Sequence, residues 1–596
     1  MTDSSLPQNA GPSGDAEHPQ SIHWHEKEET MIKEALAIDE ASYGPNNPKV
    51  AIHLNNLAQL FQVTNRLAEA EPLIRRALAI DEANYGPGHP NVASNLNNLA
   101  TLLQATNRLA EAEPLIWRAL AIDQSSHGSD HPNVARDLNN LANLLHSTNR
   151  LAEAEPLMRR ALAIDEASYG PDHPDVARDL NNLANLLQST NRLAEAEPLM
   201  RRALAIDEAT YGSEHPNVAR DLNNLATLMY ATNRLAEAEP LMRRALAIDE
   251  ASYGSDNPRV AIRLDNIATL MYATNRLSEA EPLMRRALAI DEASYGSDHP
   301  SVAIRLNNLA QLLQATNRLA EAEPLMRRAL AINQLSYGPD HPNVAHNLNN
   351  LAVLLQATNR LTEAEPLMRL AMAIDQASYG SDHPNVAIRL NNLAQLLQAT
   401  NRLAQAEPLM QRALAIDEAS YGSDHPDVAT DLNNLAGLLK ATNRLSEAEP
   451  LMRRVVEIFE ISYGSDHPNA ATALNNLAQL LQATNRLAEA EPLMRRALAI
   501  DEASYGSDHP NVAIRLNNLA QLLQATNRLS EAEPLMRRVV EIFEISYGSD
   551  HPNVATALNN LAQLLQATNR LSEAEPLMRR ALAIDEASYE KTGSNG

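Results

Sequence analysis

Residues 384–425 read PNVAIRLNNLAQLLQATNRLAQAEPLMQRALAIDEASYGSDH, and the same string, lightly varied, returns every 42 residues. The doublet Asn391-Asn392 recurs at Asn349-Asn350 and Asn433-Asn434. Thirteen copies run from Asn55-Asn56 to Asn559-Asn560, with one Asn replaced by Asp265. A fixed period of this size constrains the fold more than any composition. A unit this short buries its apolar face only against its neighbours, so the chain must be a solenoid and not a set of separate globules.

Within the unit, Pro384 opens a helix, where its missing N–H costs nothing. The run Ser381-Asp382-His383 before it supplies caps. Leu390, Leu393, Ala394, Leu396 and Leu397 form a helical stripe, which Thr400-Asn401-Arg402 interrupts. Asn401 is the expected left-handed residue, because Asn tolerates positive φ. Leu403, Ala406, Leu409, Met410, Ala413, Leu414, Ile416 and Tyr421 form a second stripe that Gly422 ends. Each unit is therefore predicted as two antiparallel helices, A then B. Pro408 lies early in helix B, where it removes one hydrogen bond without breaking the helix. Ala394, Ala406 and Ala413 mark the close helix contacts.

This pattern resembles the tetratricopeptide repeat. Leu393-Ala394, Ala406 and Ala413 match that family's large-then-small pair and its two helix B alanines. Asn401 and Leu403 depart from its usual Gly and Tyr. The 42-residue period with "LNNLA", "EAEPL", "RALAI" and "YGSDHPNVA" is similar to the repeats of kinesin light chain and its relatives. The resemblance covers about residues 22–589. It implies an all-α, right-handed superhelical solenoid whose helices A line a concave, peptide-binding groove.

Four segments follow. Residues 1–21, rich in Pro, Gly, Ser and acid, are expected to be disordered. Residues 22–47 read as a lone capping helix B. Residues 48–589 hold thirteen tandem hairpins, and 590–596 form a disordered tail. The last hairpin has no polar solvating helix after it, so an apolar outer face and weak end-to-end self-association are expected.

Net charge is −26, which argues against nucleic-acid binding, since that needs a basic face. With no Cys, disulfide and thiolate chemistry are excluded. No apolar run is long enough to span a membrane, and the N-terminal text lacks a signal peptide, so a cytoplasmic location is expected.

Nothing supports catalysis, a cofactor or a metal. Ser381-Asp382-His383 are consecutive turn residues and cannot converge as a triad. Eleven copies of the repeat carry His before Pro, successive ones a whole hairpin apart, and in one unit Asn257 replaces the His. Glu321, Glu323, Arg327 and Arg328 read as solvated pairs along a helix.

The candidate recognition surface is the helix A stripe Ile388, Asn391, Gln395 and Gln398. Asn97, Asn139, Asn181, Asn223, Asn307, Asn349, Asn391 and Asn433 form an amide ladder, able to bond either an extended peptide backbone or the neighbouring helix A. Both readings stand at this point. Variation along the same helices adds Tyr230 and Tyr272. It also puts Asp137, Asp179 and Asp221 early, then Arg263, Arg305 and Arg389, with Arg515 later. Kinesin-light-chain-like grooves accept acidic peptides carrying an aromatic; Arg263, Arg305 and Arg389 either pair with such acids or stand as solvated rim charges. The sequence reads as a non-catalytic scaffold binding other proteins or peptides. The alternative is a structural spacer or self-associating rod within a larger signalling assembly.

Overall fold

The computed structural model describes residues 21–593, with side chains over 27–587. Those residues form 27 helices and no strand. An opening helix, Ser21–Tyr43, leads into thirteen hairpins. Unit 1 pairs helix A, Pro48–Val63, with helix B, Leu67–Tyr85. Unit 7 pairs Pro300–Ala315 with Leu319–Tyr337, and unit 13 pairs Pro552–Ala567 with Leu571–Gly593. The N-terminal segment expected to be disordered lies almost wholly outside the described residues. The final helix runs on past Tyr589, where the tail was expected to begin. Glu590 stands there in place of the Gly that follows the last residue of every other helix B.

Two turns recur, and each has a local cause. Between helices A and B, the Asn of Thr-Asn-Arg takes φ of 55–60° in all thirteen copies, Asn401 at 59°. Between units, Gly422 takes φ of 86°. The helix that follows is capped by His383 itself, since the Asn385 N–H donates to its Nδ1 at 3.2 Å. Tyr379 stacks on that imidazole with centroids 4.5 Å apart. Asn47 and Asn257, the two exceptions among the histidines, cap in the same way, their Oδ1 atoms accepting from the Lys49 and Arg259 N–H at 3.0 and 2.9 Å. The repeated His is thus a capping residue held by the Tyr four positions earlier.

Apolar burial holds the hairpins together. Ala394, Ala406 and Ala413 are fully buried, so helix axes approach closely across them. Pro408 sits inside an unbroken helix Leu403–Tyr421. Arginines outside the core brace successive units. Arg402 Nη1 donates to Glu365 of the preceding helix B at 2.6 Å, and Arg360 Nη1 to Glu323 at 2.8 Å. Glu323 also accepts from Arg327 at 2.6 Å, so these pairs are ladders between units as well as pairs along one helix. The outer face of the final helix exposes Leu571, Met578 and Leu582.

The solenoid closes on itself. His299, His341, His383, His425 and His509 lie against the backbone of Val63, Ala105, Ser147, Ser189 and Ala273. Each is the start of helix A in one unit meeting the end of helix A six units earlier. The opening helix packs on helix B of unit 6, Leu277–Tyr295. Asn275 Nδ2 donates to Ser546 Oγ at 3.1 Å, across 271 residues of chain. The superhelix therefore makes one turn in about six units, and its second turn sits on its first along a seam. The seam is loosely packed: a gap of about 580 Å³ remains between residues 64–69 and 295–299.

Candidate interaction surface on the inner wall

The amide ladder lies between adjacent helices A. Asn97 Nδ2 donates to Asp137 at 2.8 Å, Asn139 to Asp179 at 2.8 Å, and Asn181 to Asp221 at 2.9 Å. Asn391 donates to Asp431. The second Asn of each doublet then reaches back to the unit before. Asn223 accepts from Asn266 at 2.7 Å, Asn349 from Asn392 at 2.9 Å, and Asn433 from Asn476 at 2.9 Å. Of the two uses of these amides, the structure shows the bonding of neighbouring helices A. Asp265, the one departure from the ladder, accepts from Asn308 at 2.5 Å and from Arg305 at 2.9 Å, giving that guanidinium a second carboxylate.

The expected acidic and basic stretches of the groove are corrected. Asp137, Asp179 and Asp221 are fully buried, and Arg305, Arg389 and Arg515 are nearly so. Each sits at the junction between one helix B and the next helix A, opposite a residue 14 positions earlier. Arg263 Nε donates to Asp249, Arg305 to Asp291, Arg389 to Asp375 and Arg515 to Asp501, each at 2.8 Å. In the early units the guanidinium comes from the preceding position. Arg136 meets Asp123 at 3.0 Å and Arg220 meets Asp207 at 3.1 Å. These charges are internal because a helix A position one step off the inner stripe faces the junction, not the groove.

The same junction is solved in other ways elsewhere. Asp81 accepts from Asn95 at 2.8 Å, and Asn333 donates to Asn347 at 2.6 Å. Phe459 packs with Ala473, and Phe543 lies in the same apolar cluster as Ala557. Only between units 9 and 10 do two acids face each other without an Arg. Burial, then the Asp431 charge, pushes the Asp417 carboxyl up to about 9. Burial pushes Asp431 up to about 7, with the Asn391 amide pulling the other way. The 14-residue covariation was the signal that sequence reasoning missed.

What remains on the inner wall mixes uncharged polar groups with apolar side chains such as Val63, Leu109, Ile304 and Ile388. A cavity of about 890 Å³ runs along it, between the ends of helices A in units 1–3 and the starts of helices A in units 7–9. Gln62, Gln104, Asn143, Thr269, Gln311 and Ile388 line it, together with Tyr272, Asn307 and Arg389 from the expected set. Gln62 and Gln104 occupy the Gln398 position of their units, and Asn143 and Gln311 the Gln395 position. Gln395, Gln398, Tyr230 and Tyr272 are half-buried. Burial pushes the Tyr230 and Tyr272 hydroxyls up, and both rings lie close to the seam, near Tyr505 and Tyr547. Asn307 is almost fully buried at the cavity edge, and its Oδ1 has no hydrogen-bond partner. Among the described residues no group of three His, Cys, Asp or Glu could hold a metal, and no helix is long and apolar enough to cross a membrane.

The family model described as Tetratricopeptide repeat matches in overlapping stretches from residue 25 to residue 587. The chain belongs to the tetratricopeptide repeat family. Proteins of this family generally mediate protein interactions, and the fold is a scaffold type. Among solved structures, the array is similar to a putative kinesin light chain of Podosopora anserina with nearly identical TPR-like repeats. The two are 28% identical over 36% of this chain and 99% of that one, with a TM-score of 0.31. It is also similar to BtubC (BKLC) from P. vanneervenii, at 23% identity over 41% of this chain and 92% of that one, with a TM-score of 0.31. Among curated protein sequences none matches the chain.

Proposed function

We propose that this tetratricopeptide array is a non-catalytic scaffold that takes an extended segment of another protein along its inner wall. The observation that carries the reading is the cavity of about 890 Å³, lined by amides, hydroxyls and apolar side chains from both superhelical turns. Six helices A spaced about 10 Å apart around a ring leave a bore of about 10 Å, room for one extended strand and not for a folded domain. Gln311, Gln395 and Gln398 each offer a donor and an acceptor, which suits the backbone of a strand of any sequence. Tyr272 gives an aromatic face for a flat or apolar side chain.

The partner's charge follows from what the wall lacks. With Arg263, Arg305 and Arg389 committed to aspartates, Lys440 at the Gln398 position of its unit is left as a cation for acids, and the net charge of −26 repels them at long range. A neutral or basic unstructured segment fits better. Selection of random displayed peptides against the full chain tests this, with affinities measured by calorimetry. Gln311→Ala with Tyr272→Ala should weaken a selected peptide tenfold or more, and the convex-face change Arg327→Ala should leave it unchanged. Equal binding by all variants would contradict the reading.

A further inference from the structure

We propose that the open edges of the two superhelical turns dock on each other in different molecules, so that the partner is a second copy of this chain added head to tail. The trailing edge, made of the Thr-Asn-Arg turns, is covered in units 1–6 and open in units 7–13. Asn65, Asn107, Asn149, Asn191, Asn233 and Asn275 are half-buried, whereas Asn317, Asn359, Asn401, Asn443, Asn485 and Asn527 are exposed. The leading edge, made of the Tyr-Gly-x-x-His-Pro turns, shows the reverse. Tyr85 and Tyr169 are 43% and 46% exposed, while Tyr295, Tyr337 and Tyr379 are half-buried and Pro300, Pro342 and Pro384 are buried.

The seam inside the molecule therefore displays what covers each open edge. The residues around the covered Asn107 are Ala-Thr-Asn-Arg-Leu, and the open Asn401 carries the same five. The residues that cover it, Tyr337 to His341, are matched on the open leading edge by Tyr85 to His89 and Tyr169 to His173. A second molecule thus brings to the open trailing edge the surface that the first molecule already packs there. Such a contact is heterologous and does not close, so it propagates as a coaxial filament. The gap of about 580 Å³ left in the internal seam means that shape match is incomplete, and assembly depends on concentration.

Two edge variants of the full chain test this. Ala399→Glu/Ala441→Glu/Ala483→Glu loads charge onto exposed positions of the trailing edge, and Tyr85→Glu/Tyr169→Glu does so on the leading edge. Sedimentation velocity of the wild type over a hundredfold concentration range should give a growing series of species. Each variant alone should be monomeric, with far-UV circular dichroism like the wild type. Mixed one to one, they should form a dimer and nothing larger, because one intact edge of each kind remains. A wild type that stays monomeric throughout, or folded variants that polymerise as the wild type does, would overturn the proposal. Negative-stain images give a second readout independent of the variants: thin coaxial rods support it, and sheets or lateral bundles contradict it.

Discussion

Asn107 in the first superhelical turn and Asn401 in the second share their neighbours in sequence and their backbone geometry, with φ of 57° and 59°. One is half-buried under another unit and the other is exposed. The inter-unit turns invert this: Tyr85 is exposed, and Tyr379 is partly covered. Nothing local separates them. The difference comes from superhelical geometry, in which a small rotation per unit accumulates until unit 7 arrives over unit 1. In a near-identical array, a residue's environment is set by its place along the superhelix.

Acid should break this comparison most strongly. Burial pushes the imidazoles of His299, His341, His383, His425, His467 and His509 down to about 4. A histidine free of the seam titrates near 6.5, so the open state binds more protons between these values. The seam is at full strength above about pH 6.5 and weakens as pH falls toward 4. Small-angle scattering should show the radius of gyration rising over that window, while helical circular dichroism holds. Constant dimensions from pH 7 to 4 would count against the seam.

The ribbon itself must be alike in both turns, and its junctions supply the next largest effect. Asp375→Ala leaves Arg389 buried and unpaired, at a cost of about 3–5 kcal/mol in chemical denaturation. Asp375→Phe with Arg389→Ala should recover most of it, because Phe459 with Ala473 already works two units later. A double variant as unstable as the single one would refute the exchange.

A matched pair then isolates the seam. Ala273→Glu, at a half-buried position, forces a charge under His509 and should cost about 1–3 kcal/mol. Ala399→Glu, at the same place in the open edge, should stay within about 0.5 kcal/mol. Equal costs would erase the distinction between the turns. The smallest effect belongs to the junction of two acids. Asp431→Asn should stabilise by about 1 kcal/mol at pH 8, since both carboxyls are raised in the folded state and the stability they contribute as neutral acids is lost as pH rises from 3.8, their ordinary value, through about 7 and about 9. A melting midpoint that falls on this substitution would refute the pairing.

Much of the unit was legible in the sequence because its causes are local. Asn401 at positive φ, Gly422 as a stop, Pro408 inside a helix and the buried Ala406 each follow from one residue's own chemistry. Arg305 and Arg389 were misplaced because a helical stripe does not say which neighbour covers it. Their exchange with Asn95, Asp431 and Ala473 across a constant 14 residues held that information. The contact of His299 with Val63 had no signal at all. It spans 236 residues and depends on the twist and rise of each unit, which apolar periodicity does not encode.

The closure of one turn on the other can be measured without background, because the chain contains no cysteine. Asn275 and Ser546 meet at 3.1 Å across the seam. In Asn275→Cys/Ser546→Cys, mild oxidation of dilute protein should give an intramolecular disulfide in nearly every molecule, seen as a mobility shift on non-reducing gels. Two thiols that remain free, or that link only between molecules, would contradict the closed superhelix.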